Sequence, residues 1–291
     1  MAVRGREVQH PGADPRCARC NGIGGEVVPE GERARVQLCP CTKTCPICRG
    51  TGFVATSEAF RARRQRCLCQ EALNRFRAFD AVGVPARHAD STRASFQASN
   101  KQQTVVLGEV SKYLSSFEPG RDNRGLVLYG DVGRGKTHLL VGLLRELVLV
   151  KGVRARFVEF SHLLADLKAG FDQGRGAAAL IDPLVDVDVL GIDELGKGRS
   201  TDFEGTVIDE IVSRRYNAMR PIVATTNFAP GAATGRAVSN AAEVALGAAA
   251  PPTLRDRLGD RVYSRLRETC DFVPVMGEDY RDRRRARAGA T

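Results

Sequence analysis

From about residue 101 the apolar positions switch repeatedly between two spacings. The stretch "QTVVLGEVSKYLSSF" (103–117) has helical, amphipathic spacing, and "GLVLY" (125–129) is apolar almost throughout, as in a strand buried on both faces of a parallel sheet. The apolar run "THLLVGLLRELVLVKG" (137–152) predicts a helix. A second strand, "ARFVEF" (155–160), precedes a helix, "SHLLADLKAGF", and a third strand lies in "VDVDVLGIDELG" (185–196). Then "TDFEGTVIDEIVSRRYNAMR" (201–220) places Val207, Ile208, Ile211 and Val212 on the packed side of a helix. The fourth and fifth strands are "PIVATTN" (221–227) and "DFVPV" (271–275). Strand and helix in alternation define an α/β domain with a five-stranded parallel sheet.

The chain before residue 101 reads differently. "QEALNRFRAFDAVGVP" predicts one helix with Leu73, Phe76, Phe79 and Val82 on a face, ended at "GVP". The polar stretch 86–100 reads as a linker or strap. The expected organisation is therefore residues 1–80 as an N-terminal module, 81–100 as a linker, 101–280 as the α/β domain and 281–291 as a basic tail. The alanine-rich segment 229–253 carries no recognisable chemistry.

The N-terminal module is a tandem repeat. Cys17, Cys20, Cys39 and Cys41 recur 28 residues later as Cys45, Cys48, Cys67 and Cys69, and Gly22 and Gly24 recur as Gly50 and Gly52. Each unit reads C-x-x-C-x-G-x-G, a spacer, then C-x-C. Two close thiolate pairs supply the four soft ligands of tetrahedral Zn²⁺, and the glycines permit the tight turn behind the first pair. Four cysteines close the coordination sphere, so both sites are expected to be structural. Ligands are expected to pair within each unit, with a nested pairing of outer and inner cysteines as the alternative. The ninth cysteine, Cys270, reads as a buried strand residue.

The loop between the first strand and its helix runs Gly130, Asp131, Val132, Gly133, Arg134, Gly135, Lys136, Thr137 and His138. It matches G-x-x-x-x-G-K-T in the strand–loop–helix setting that a phosphate-binding loop requires. Its glycines let successive N–H groups face phosphate oxygens, and the helix N-terminus adds partial positive charge. Lys136 is expected to reach the β- and γ-phosphates of ATP and Thr137 to ligate Mg²⁺; His138 reads as a helix-face residue. Asp193 and Glu194 emerge at the carboxyl end of the third strand, where Asp193 would hold Mg²⁺ and Glu194 would activate the attacking water. Asn227 ends the fourth strand and could position that water.

Composition narrows the setting. The 291 residues carry a formal charge of +10, which eight thiolates holding two Zn²⁺ would lower by four, to +6. A basic balance favours an acidic partner such as nucleic acid. The charge concentrates in "RARRQR" (61–66), read as a solvated helix face, and "RDRRRAR" (281–287). No apolar stretch is long enough for a membrane span and the first residues lack a signal-peptide core, so a cytoplasmic protein is expected.

Together "GDVGRGKTHLL", "VDVLGIDELG", "EIVSRRYNAMRPIVATTNF" and "LGDRVYSRLRE" resemble the AAA+ ATPases of the DnaC/DnaI/IstB group, the bacterial helicase loaders and transposition helper ATPases. The resemblance spans residues 125 to about 280. It implies a sheet of order 5-1-4-3-2, ATP hydrolysis and a homo-oligomer with ATP between subunits. It also implies that Asn227 is the sensor-1 residue and Arg265 the arginine finger, with Arg261 competing. Single-stranded DNA and a replicative helicase are the implied partners, and Lys168, Arg214 and Arg215 are candidate DNA contacts. A transposition helper role, a scaffold that scarcely hydrolyses ATP and a P-loop kinase are the rival readings. The C-x-x-C-x-G-x-G half resembles the cysteine-rich region of DnaJ-type chaperones and departs from it at C-x-C; some members of the loader group look similar there, though two tandem units would be a departure.

Overall fold

The computed structural model describes residues 9–58, 61–98, 100–198, 201–231 and 251–280. The basic tail, 281–291, and most of the alanine-rich segment, 232–250, lie outside the described residues. The chain forms two compact units. One comprises the chain up to Phe96 with Val141–Phe157; the other comprises Gln97–Leu140 with the chain from Val158 onward.

The first unit is built on two antiparallel hairpins, β1 (Gly25–Glu30) with β2 (Arg33–Leu38) and β3 (Phe53–Glu58) with β4 (Arg61–Arg66). They are followed by helix α1 (Leu68–Val82). "RARRQR" is thus strand β4 and not a helix face: its backbone is paired residue for residue with β3, Phe53 opposite Arg66. Helix α1 buries Ala72, Phe76, Phe79 and Val82, close to the predicted face, and covers the first hairpin. A Cβ on Gly25 would lie 2.6 Å from Phe76 Cζ, so only glycine lets the ring approach. The Val36 amide donates to Asp80 Oδ1 at 2.7 Å and that of Ala34 to Val84 O at 2.8 Å. Gly83, at φ 85°, ends α1 in the left-handed conformation open to glycine. The following polar stretch contains a 3-10 turn (Ala86–His88) and is anchored by Arg93 to Glu146 at 2.8 Å and by Arg145 to the Ala89 carbonyl at 2.9 Å.

The sheet contains β5 (Gly125–Tyr129), β6 (Ala155–Glu159), β7 (Val189–Asp193), β8 (Ile222–Thr226) and β9 (Cys270–Pro274). Its order is β6-β7-β8-β5-β9, and its strands run parallel. Numbered within the sheet and read from the other edge, this is 5-1-4-3-2, as expected. The central strands β7 and β8 are buried at every position, which explains their unbroken apolar runs.

Seven helices accompany the sheet among the described residues: α2 (Lys101–Ser116), α3 (Lys136–Leu149), α4 (Phe160–Asp172), α5 (Ala177–Val185), α6 (Asp202–Asn217), α7 (Leu254–Leu258) and α8 (Asp260–Thr269). Asn100 caps α2 by accepting from the Gln103 amide, and Thr253 with Asp256 forms a capping box on α7. In the second unit, Val127, Leu190, Ile192 and Ala224 of the sheet pack with Leu164 and Leu167 of α4, Ile208 and Ile211 of α6, and Val262 and Leu266 of α8. Sequence periodicity missed α5: Val185 ends this helix, and the third strand begins only at Val189.

Candidate nucleotide site and cysteine clusters

The glycine-rich loop of residues 130–135 joins β5 to α3. Gly130, Gly133 and Gly135 have φ of 140°, 79° and 84°, values that turn the backbone in ways side-chain-bearing residues rarely adopt. Lys136 is the first residue of α3 and is buried; its ammonium donates to the Gly130 and Asp131 carbonyls at 2.8 and 2.7 Å. Burial pulls its pKa down to about 8 against the opposing pull of Asp193 and Asp131. Within the loop Arg134 pairs with Asp131, Val132 is exposed, and His138 lies half-buried on α3. The chain after β9 runs beside the loop: the Tyr280 amide donates to Gly133 O at 2.9 Å, and Arg134 Nη1 lies 3.3 Å from Met276 Sδ.

The parallel sheet brings the carboxyl ends of β7 and β8 beside this loop. Thr137 Oγ1 donates to Asp193, 2.9 Å from Oδ1 and 3.1 Å from Oδ2. Asp193 is only 2% exposed, and burial pushes its pKa up while hydrogen bonds from Thr225 and Thr137 pull it down. Thr225 was not singled out from sequence, yet it ties the acidic pair together. Its hydroxyl donates to Asp193 Oδ1 at 2.5 Å and accepts from the Glu194 amide at 3.0 Å. Thr226 repeats the device one residue on, donating to the Leu195 carbonyl at 2.7 Å. Its only sequence signal is a pair of hydroxyl residues in an otherwise apolar buried strand, where each hydroxyl must find a partner.

Glu194 has φ of 56°, a left-handed backbone that is unfavourable for this residue type, and its carboxylate pairs with Lys197. Asn227 is exposed and directly follows β8, between the ends of β7 and β5. On α7, Arg257 donates to the Gly196 carbonyl at 2.9 Å and to that of Gly198, holding the loop beyond Glu194.

The remaining predicted residues lie elsewhere. Arg265 donates to Asp209 Oδ1 at 2.8 Å and Ser213 Oγ at 2.6 Å on α6, and lies over the Tyr216 ring. Arg261 is far more exposed and 3.5 Å from Asp209. Of the proposed DNA contacts, Lys168 is exposed on α4 and Arg214 pairs with Asp182. Arg215 is not a surface residue. It is fully buried and donates to the carbonyls of Leu184, Val185, Val187, Asp188 and Pro221. A guanidinium so used has no access to DNA, and this corrects the expectation from sequence.

The eight cysteines form two clusters, Cys17, Cys20, Cys39, Cys41 and Cys45, Cys48, Cys67, Cys69, with each set of sulfurs within 4.8 Å of one another. The closest pairs, Cys17–Cys39, Cys20–Cys41, Cys45–Cys67 and Cys48–Cys69, are 3.5–3.7 Å apart, too far for disulfides and suited to a shared tetrahedral ion. In both units an amide four residues on donates to the second cysteine: Gly24 to Cys20 and Gly52 to Cys48. Such N–H···S bonds support thiolate charge. The grouping is the within-unit one, and the donor set fits zinc. Cys270 is buried at the start of β9, as read.

A strand–glycine loop–helix unit with an acidic pair on the third strand, in a 5-1-4-3-2 sheet, defines the P-loop AAA+ class. Within that class the chain belongs to the IstB-like ATP-binding proteins, a family that matches residues 93–288. It is 26% identical over 157 residues to the replicative helicase loader DnaC of Escherichia coli K12; the match covers 54% of this chain and 63% of that protein's length. The crystal structure of the DnaC helicase loader superposes with a TM-score of 0.54 at 25% identity, covering 65% of this chain and 99% of that one. That of DnaI superposes with a TM-score of 0.51 at 20% identity, covering 67% and 93%, and shows the shared fold. Among the described residues no helix is long and apolar enough to cross a membrane.

Proposed function

We propose that the protein is an ATPase that loads a replicative helicase onto single-stranded DNA. The observation carrying the ATPase reading is the bonded set Thr137–Asp193–Thr225–Glu194 beside the glycine loop. Amides of the loop and the Lys136 ammonium, released from the Gly130 and Asp131 carbonyls, would bind the triphosphate. Thr137 and Asp193 would hold Mg²⁺, which offsets the charge of the phosphate oxygens. Glu194, released from Lys197, accepts a proton from water as the water oxygen bonds to the γ-phosphorus and the bond to the bridging oxygen breaks; ADP carries off the electron pair. Asn227, exposed just after β8, would orient that water.

The helicase-loading part rests on likeness to DnaC. Assembly into an oligomer would bring Arg265 or Arg261 of one subunit to the ATP of the next, and the exposed Arg261 is the freer of the two. The cysteine clusters would each hold one structural Zn²⁺. A transposition helper role is the second reading, favoured by the family's IstB-like character.

Lys136→Ala should abolish nucleotide binding measured by calorimetry, whereas Glu194→Gln should bind ATP and fail to turn it over. Unchanged affinity in the first, or normal hydrolysis in the second, refutes the assignment. Helicase loading is tested by ATP-dependent delivery of the cognate replicative helicase to a protein-coated single strand.

A further inference from the structure

The two cysteine modules share ligands and hairpins but not surfaces. Residues 15–38 contain four basic and three acidic side chains; the equivalent residues 43–66 contain six basic and one acidic. With a Cys₄-bound Zn²⁺ contributing −2 to each, the first module is about −1 and the second about +3. The two modules have diverged to opposite sign.

Two of the cations that the second module gains, Arg64 and Arg66 in place of Val36 and Leu38, fall on one hairpin face. In an antiparallel pair, directly opposed residues point to the same side. In the first hairpin that side carries Gly25, Val27, Ala34 and Val36, and α1 packs on it. In the second hairpin the same side carries Phe53 and Ala55 opposite Arg66 and Arg64. Phe53 occupies the position of Gly25, and Arg64 that of Val36. This side is uncovered: Phe53 is 49% exposed, and Ala55, Arg64 and Arg66 are exposed. Among the described residues neither Arg64 nor Arg66 pairs with a carboxylate. Arg49, at the turn after Cys48, adds a further exposed cation. The other side of the hairpin faces its own cysteine cluster through Val54, so the exposed side is not needed for the module's own packing.

We infer that the Phe53–Arg64–Arg66 face of the second cysteine module is a docking surface for single-stranded DNA. This inference rests on the DNA-loading reading above and assigns it a place in the chain. An aromatic ring flanked by guanidinia is the chemistry that holds an unpaired strand: the ring stacks a base and the arginines hold the adjacent phosphates. Duplex DNA offers no free base to the ring. A protein groove would need to neutralise the guanidinia with its own acids.

The test is fluorescence anisotropy of the full-length, zinc-loaded protein on a labelled oligothymidylate of about 20 nucleotides, between about 50 and 200 mM salt. Arg64→Ala/Arg66→Ala should weaken binding and reduce the slope of log affinity against log salt by about 1.4, two phosphate contacts at about 0.7 each. Phe53→Ala should weaken binding by about 5- to 100-fold and leave the slope unchanged, as loss of one stacked base does. Both variants should retain their zinc by metal analysis and hydrolyse ATP at the basal rate of the parent. If the parent binds DNA and both variants match it within twofold, this face is not the surface and the loading reading stands. If the parent fails to bind single strands, both fall. Loss of helicase capture with DNA affinity intact would assign the face to a protein and overturn the inference.

Discussion

Replacing Thr225 by valine keeps the shape of a buried strand residue and removes one hydroxyl. That hydroxyl makes a 2.5 Å bond to the Asp193 carboxylate and accepts a 3.0 Å bond from the Glu194 amide. A hydrogen bond to a charged group contributes about 1.5–3 kcal/mol net, and an orphaned amide costs about 1 kcal/mol more. The expected destabilisation of the nucleotide-binding unit is therefore about 2.5–4 kcal/mol. The function should suffer separately. Burial already pushes the Asp193 pKa up, and losing one of the two hydroxyls that oppose this raises it further, so Mg²⁺ binding weakens. Glu194 loses the bond that holds its left-handed backbone, so turnover should fall by more than nucleotide affinity does. Urea unfolding gives the stability term, read on the transition that Mg-ATP shifts, since the chain has two units. Mg²⁺ titration of ATP binding and steady-state phosphate release give the rest. Thr225→Ser should recover most of both losses. A valine variant with parental stability and parental turnover would refute the view that this hydroxyl organises the acidic pair.

Three further outcomes follow from the same contacts. Arg215→Met should destabilise the nucleotide-binding unit by about 3–5 kcal/mol in urea unfolding, because five carbonyls lose a charged donor; burial already pulls the Arg215 pKa down to about 10, and a loss below about 1 kcal/mol would contradict that bonding. Arg265→Ala should both loosen α8 from α6, seen as faster amide exchange at Asp209–Ser213, and slow hydrolysis in the oligomer, whereas Arg261→Ala should slow hydrolysis alone; the reverse pattern would exchange their roles. Strong chelation should release about two Zn²⁺ per chain and collapse the amide protection of both hairpins while the Mg-ATP-dependent transition persists. Release of fewer than about one ion would refute the two Cys₄ sites.

How much of this was legible in the sequence depends on how local the determinant is. The glycine loop is self-contained: its spacing, the apolar strand before it and the helix after it lie within about 25 residues, and each is dictated by backbone geometry. The cysteine grouping was legible because the repeat carries a full ligand set in each unit. Thr225 was not, since what matters is its place across from β7, which only the folded sheet supplies. The neighbouring arginines 214 and 215 show the limit most plainly. In sequence they are equivalent cations on one helix. In the fold the rotation of about 100° from one helical residue to the next sends Arg214 to Asp182 at the surface and Arg215 into a ring of five carbonyls.

The two cysteine modules extend that point from neighbouring residues to repeated ones. A 28-residue period identifies what the copies share, and the shared positions are those the metal and the turns require. Positions free of that demand are where the copies can differ, and they differ in a correlated way. Gly25 is small because Phe76 leaves it no room, and Val36 beside it is apolar because α1 covers it. Phe53 and Arg64 occupy the same two places and are exposed. A large exposed ring beside guanidinia that meet no carboxylate among the described residues gains nothing from the module's own folding, because the ring is half in water and the charges repel. Their retention on a single face is explained by something outside the chain that supplies a flat apolar surface and negative charge together, and an unpaired DNA strand supplies both.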